Sequence, residues 1–266
     1  MKQVKTASII LATGAVLTAA QLAILGAKGG IGPLKFLKKD KTALLPGNGD
    51  KYNFNTIAPM EDSPRVGKNI CILGSSVAYG ACSQQSAVGE YLAARLGAKL
   101  TKETVSGTTL ADKTKNSYVR RLKKLDRNTK FDLFLCQLST NDATWKLPLG
   151  KISPSRDLKD FDTSKVTGAM EYIIRYAQLT WGCPVVFFTG SYYDNPSYSA
   201  MVERVHELSG KWGIGVLDLY SNADFNRISD GDRKLYMNDP IHPTKAGYRN
   251  WWGPELERQL LYFLKK

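Results

Sequence analysis

"ICILGSSVAYGACS" (residues 70–83) runs an apolar stretch into a glycine, two adjacent serines and, four residues beyond the second serine, another glycine. Short apolar runs of this kind recur downstream, each followed by a longer helical pattern. "NICILG" (69–74) precedes "SAVGEYLAARLG" (86–97), and "DLFLCQL" (132–138) precedes "KVTGAMEYIIRYAQLTW" (165–181). "PVVFFTG" (184–190) precedes "SYSAMVERVHELSGKWG" (197–213), and "IGVLDL" (214–219) precedes "TKAGYRNWWGPELERQLLYFL" (244–264). Such alternation predicts an α/β domain, a mainly parallel sheet flanked by helices. "KLTKETVS" (99–106) adds a fifth strand of weaker pattern, expected at a sheet edge.

With 266 residues, 43% of them hydrophobic, the chain supports one well-buried core. Residues 1–41 hold seven lysines against one aspartate, about half of the net charge of +13. No zinc-finger spacing, RNA-binding motif or aromatic-interleaved basic helix accompanies that charge, so a nucleic-acid partner is not expected. Residues 7–26 carry no charge, and about 20 such residues span a bilayer as a helix. Residues 1–27 therefore read as a signal anchor or signal peptide. The small-residue cleavage candidates around Ala27 are poor, which favours an uncleaved membrane anchor with the downstream domain outside the cell. Residues 28–68, rich in glycine, proline and lysine, read as a linker and irregular lead-in, and residues 69–266 as the folded domain. Cys71, Cys82, Cys136 and Cys183 lack paired spacing; they predict buried thiols, with no metal site and no disulfide framework.

In parallel sheets the ligand site lies beyond the carboxyl ends of the strands. Small polar residues recur there: Gly74-Ser75-Ser76, Ser106-Gly107, Ser139-Thr140-Asn141-Asp142 and Gly190-Ser191-Tyr192-Tyr193. A serine becomes a nucleophile when a base takes its proton, and histidine is the usual base. His206 lies in an amphipathic helical pattern and reads as a surface residue. His242 sits instead in the proline-punctuated turn "NDPIHPTKAGY", three residues after Asp239, so one short loop can set a carboxylate against an imidazole. Gly107 and Asn141 are placed to donate hydrogen bonds to a tetrahedral oxyanion, one through its backbone and one through its amide.

Taken in order, "ILGSSVAYG", "VSGTTLAD", "QLSTNDAT" and "DPIHPTKAGY" resemble the four blocks of the SGNH/GDSL hydrolase family, over residues 70 to about 250. The resemblance implies a three-layer α/β/α, flavodoxin-like fold with about five strands. It implies Ser76 as nucleophile, His242 as base, Asp239 as its orienter, and Ser76 N–H, Gly107 N–H and the Asn141 side chain as the oxyanion hole. No metal or organic cofactor is implied. Two positions depart from the family pattern: Ser75 stands where aspartate precedes the nucleophile, and Ser139 where the asparagine block begins with glycine. The expected activity is hydrolysis of short-chain or acetyl esters through an acyl-enzyme, with Trp145, Tyr192 and Tyr193 as a stacking platform for an envelope carbohydrate. The alternatives are a lysophospholipase or other lipid acyl hydrolase, an acyltransferase, and an idle carbohydrate-binding module on the same cleft.

Overall fold

The computed structural model describes residues 41–265. The uncharged run at 7–26 lies outside the described residues. The chain divides into two compact units, Met1–Leu44 and Leu45–Lys266, and the described part of the first is one 3-10 turn, Lys41–Leu44. Among the described residues no helix is long and apolar enough to cross a membrane.

The second unit is built on five strands: β1 Asn69–Gly74, β2 Lys99–Thr104, β3 Leu133–Gln137, β4 Val185–Phe188 and β5 Gly215–Leu217. Their order is β2-β1-β3-β4-β5, and every pairing is parallel. All five apolar runs become strands, with "KLTKETVS" at an edge, where its lysines and threonines meet solvent. The main helices are α1 Ser76–Tyr79, α2 Val88–Leu96, α3 Tyr118–Leu122, α4 Thr140–Thr144, α5 Val166–Trp181, α6 Pro196–Trp212, α7 Asp230–Tyr236 and α8 Gly253–Leu264.

Successive side chains of a strand point to opposite faces, and here both faces are covered. Ile70, Ile72, Leu133, Leu135, Val186 and Phe188 pack with residues of α2 and α8 on one side. Cys71, Leu73, Phe134, Cys136, Val185 and Phe187 pack with residues of α3, α5 and α6 on the other. The three-layer α/β/α arrangement follows from that double burial. Val166, Ala169, Met170, Ile173, Ile174 and Ala177 give α5 its buried stripe. Asn195 starts α6 by accepting the Tyr198 amide, with Pro196 at its first position.

The closing helical pattern is interrupted. Pro254 has no N–H to donate, and the Gly253 amide reaches five residues back to the Tyr248 carbonyl, giving a π turn over Tyr248–Trp252 before α8 begins. That turn aims the Tyr248 hydroxyl at the Val77 carbonyl, 2.6 Å away, beneath the loop that carries the paired serines.

The irregular residues 45–68 pack against this domain. Buried Asn48 accepts the Lys245 amide at 2.8 Å and donates to the Cys82 carbonyl at 2.8 Å. Arg249 donates to the Asn53 carbonyl, and the Ser63 hydroxyl to the Leu96 carbonyl.

Candidate active site

The chain leaves β1 toward β2 on one side and later enters β3 on the other, so strand order reverses between β1 and β3. A crevice opens at the carboxyl ends of strands related in this way. Ser76 follows β1, the Gly107 loop follows β2, and Asn141 follows β3.

The two serines part company at once. Ser75 is fully buried, and its Oγ accepts from Gln137 Nε2 at 3.1 Å. Ser76 opens α1, half-buried, with Oγ 2.8 Å from His242 Nε2. Gln137, the last residue of β3, sits beneath this turn, its Oε1 accepting the Ser75 and Ala78 amides at 2.9 Å each. Only a glycine fits at position 74, because a Cβ there would lie 2.3 Å from the Ala78 Cβ and 2.9 Å from Gln137 Oε1.

His242 reaches the crevice from the loop between α7 and the π turn. Its Nδ1 lies 2.9 Å from Asp239 Oδ2 and 3.0 Å from Oδ1, and Oδ1 also accepts the Ile241 and His242 amides at 2.8 and 2.9 Å. Burial pushes the Asp239 carboxyl up, but the His242 hydrogen bond and these two amides outweigh it and hold the group well below the usual carboxylate range. Asp239 is therefore an anion at any working pH. An imidazole set between that carboxylate and a serine hydroxyl can take the hydroxyl proton and bear the resulting charge.

Gly107 is exposed at φ +76°, a left-handed conformation, with nothing within 4 Å of where a Cβ would sit. The loop it belongs to is fastened to α4. Asn141 Nδ2 donates to the Thr108 carbonyl at 2.8 Å, which leaves its second N–H available. Buried Asp142 accepts the Leu110 and Ala111 amides at 2.8 and 2.9 Å. Its own burial raises that carboxyl to about 6, against the lowering effect of the Ser139 hydroxyl and the two amides. Ser139, the second departure from the family pattern, caps α4 by accepting the Asp142 amide at 3.4 Å and donates to the Thr108 carbonyl at 3.5 Å.

Buried Arg121 binds three strand exits together: its guanidinium donates to the carbonyls of Gly74 and Glu103 at 2.7 Å each and to Thr108 Oγ1 at 3.2 Å. Neither Arg121 nor Gln137 stands out in the sequence as a site residue. For Gln137 a signal was present, an amide inside an otherwise apolar strand, which must find partners when buried. Arg121 sits in the basic stretch "YVRRLKKL" and carries no such signal.

Tyr192 and Tyr193 line a groove of about 420 Å³ together with Asp194, Arg233, Lys234, Met237, Asn238, Asp239 and Pro240, next to the His242 loop. Tyr192 is 52% exposed, its ring 5.2 Å from that of Tyr220, whereas Tyr193 is half-buried against Tyr198. Trp145, exposed at the end of α4, is not among the residues lining this groove. His206 lies away from the crevice on α6, half-exposed, paired with Asp218 at 2.8 Å. Burial of the thiols holds for Cys71, Cys136 and Cys183; Cys82 is only partly buried, beside Asp239 and His242.

Comparison with known proteins agrees with this arrangement. No curated protein matches the chain by sequence. Among solved structures, a protein from Lactobacillus plantarum is similar at 20% identity and a TM-score of 0.60, over 75% of this chain and 97% of that one. A carbohydrate esterase family 2 enzyme from Corynascus thermopiles (Myceliophthora fergusii), which also carries a carbohydrate-binding domain, is similar at 16% identity and a TM-score of 0.53, over 78% of this chain and 69% of that one. An acetyl xylan esterase is similar at 11% identity and a TM-score of 0.52, over 71% of this chain and 97% of that one. At these identities the likeness is one of fold. The sequence profile of the GDSL-like lipase/acylhydrolase family, in contrast, matches residues 72–249, from within β1 to the turn that follows His242. By that match and by the order of its four blocks around one crevice, the chain belongs to the GDSL-like lipase/acylhydrolase family.

Proposed function

We propose that this protein is a serine ester hydrolase acting on short acyl esters of a carbohydrate. The observation that carries the reading is the continuous chain from Ser76 Oγ through His242 to Asp239, with steps of 2.8 and 2.9 Å. Ser76 Oγ attacks the ester carbonyl carbon while its proton passes to His242 Nε2, and Asp239 stabilises the imidazolium. The oxyanion accepts hydrogen bonds from the Ser76 and Gly107 amides and from the second N–H of Asn141. His242 then protonates the departing alcohol, and water, deprotonated by the same imidazole, releases the acid. Labelling with a fluorophosphonate tests the assignment, because only an activated serine reacts fast. Failure of the intact protein to label would refute it and favour an idle binding module.

Asn141 serves both the oxyanion and the loop that carries Gly107. Asn141→Ala is expected to lower kcat about a hundredfold to a thousandfold, the usual worth of one such donor, with little change in KM. Steady-state kinetics and circular dichroism on the folded variant check this, and an unchanged kcat would exclude the role.

Two features support a carbohydrate ester over a lipid. Tyr192 offers an exposed ring at the wall of a groove that reaches Asp239, and two proteins of similar fold are a carbohydrate esterase and an acetyl xylan esterase. Tyr192→Ala is expected to raise KM for an acetylated xylo-oligosaccharide about fivefold to tenfold, the worth of one stacking contact. Hydrolysis of p-nitrophenyl acetate, which is too small to use the groove, should be unaffected. Preference for a lysophospholipid over the acetylated sugar would replace this substrate class.

A further inference from the structure

Cys82 lies six residues beyond Ser76, on the loop that follows α1, and plays no part in the proposed ester hydrolysis. Its Sγ, a carboxylate oxygen of Asp239 and a ring nitrogen of His242 all lie within 4.8 Å of one another. The imidazole nitrogen on the Asp239 side is Nδ1. Asp239 and His242 keep 37% and 24% of their side-chain surfaces exposed, so a small ion has access.

A thiol, an imidazole and a carboxylate make a mixed donor set suited to a borderline-soft cation such as Zn²⁺, whereas Mg²⁺ and Ca²⁺ favour oxygen alone. Zinc bonds of about 2.0–2.3 Å in a tetrahedron place donors on the order of 3.5 Å apart. Donors held within 4.8 Å reach that spacing by side-chain rotation, and a water molecule completes the fourth position.

We propose that Cys82, Asp239 and His242 form an inhibitory zinc site, which acts by reversing the imidazole tautomer that the reaction needs. The proposal rests on His242 being the base. When Zn²⁺ binds, the Cys82 thiol loses its proton to solvent and a zinc–sulfur bond forms. The Nδ1 proton leaves as Nδ1 takes the metal, and Nε2 acquires a proton, so the imidazole stays neutral. The net exchange is one Zn²⁺ bound for one proton released. Nε2–H then donates to Ser76 Oγ and has no lone pair with which to take the serine proton. Asp239, engaged by the metal, no longer orients the ring.

The test uses the full chain in a non-chelating buffer with p-nitrophenyl acetate as substrate. ZnCl₂ is expected to inhibit and EDTA to restore the rate, while MgCl₂ at higher concentration has no effect. Cys82→Ser and Cys82→Ala are both expected to keep the metal-free rate within about twofold. Each should raise the half-inhibitory zinc concentration by more than about tenfold, since even outer-shell partners of a metal ligand are worth that much. Direct titration of ZnCl₂ by calorimetry into Ser76→Ala gives a readout that needs no activity: one site is expected, lost when Cys82→Ser is added. Zinc inhibition or binding that ignores the Cys82 variants, or stimulation by zinc, overturns the proposal. Full activity of Ser76→Ala with zinc binding intact would instead overturn the catalytic reading alone.

Discussion

Ser76→Ala is expected to abolish fluorophosphonate labelling and to lower kcat for p-nitrophenyl acetate by about four to six orders of magnitude, as when a triad nucleophile is removed. The change takes away the one oxygen that lies 2.8 Å from His242 Nε2, and no neighbouring hydroxyl replaces it. Ser75 is the nearest in sequence, but its side chain is turned into the interior against Gln137. Ser75→Ala should therefore still label. It removes the acceptor for Gln137 Nε2 and leaves that buried amide with an unpaired donor, a cost of about 1–3 kcal/mol in stability. Chemical denaturation and peptide mass spectrometry of the labelled protein separate the two effects. A label found on Ser76→Ala and missing from Ser75→Ala would reverse the assignment of the two serines.

Asp239→Asn is expected to lower kcat about ten-thousandfold while leaving the fold intact. The asparagine oxygen can still accept the Ile241 and His242 amides, so the loop keeps its shape. Opposite Nδ1, however, an N–H group then faces the ring where an anion stood. Nδ1 becomes the acceptor, the proton moves to Nε2, and the serine faces a donor where it needs a base. The variant also has a signature in stability. A carboxyl held below its unfolded value stabilises the native state above that value, about pH 4, and loses this contribution as pH falls through the folded value. Wild type should accordingly melt higher than Asp239→Asn at neutral pH, and the gap should narrow in strong acid. A gap that widened as pH fell would contradict the environment assigned to Asp239, and a kcat near wild type would remove it from the relay.

The fold was legible because its cause is local. Each central strand is buried on both faces, so each appears as a continuous apolar run, and β2 reads weakly because solvent reaches its outer side chains. Ser76, Gly107, Asn141, Asp239 and His242 were legible as chemical types at strand exits and in one loop, and the sheet order brings their elements to one crevice. What supports them was not legible. Gln137 meets Ser75 across 62 positions, Asn48 meets Lys245 across 197, and Arg121 meets Gly74 across 47. Such contacts depend on which strands become neighbours, and no local pattern of hydropathy encodes that. The interrupted closing helix was missed for a different reason, because a π turn keeps the apolar spacing of an α-helix closely enough to look continuous. Trp145 was an error of inference from type: an aromatic at a strand exit need not face the groove its neighbours line.

Asn48 precedes the first strand by more than a full strand-and-turn of chain, yet its side-chain amide clasps both halves of the catalytic apparatus. One end holds the segment just after His242, the other the segment just after Ser76. The separation between base and nucleophile is thus set partly by a residue that belongs to neither loop. A recombinant fragment trimmed to the sheet would keep every chemical group of the relay and lose the brace that spaces them. The smallest piece able to work as a hydrolase accordingly starts ahead of Asn48, and a boundary drawn from strands alone would produce a well-packed but miscalibrated enzyme.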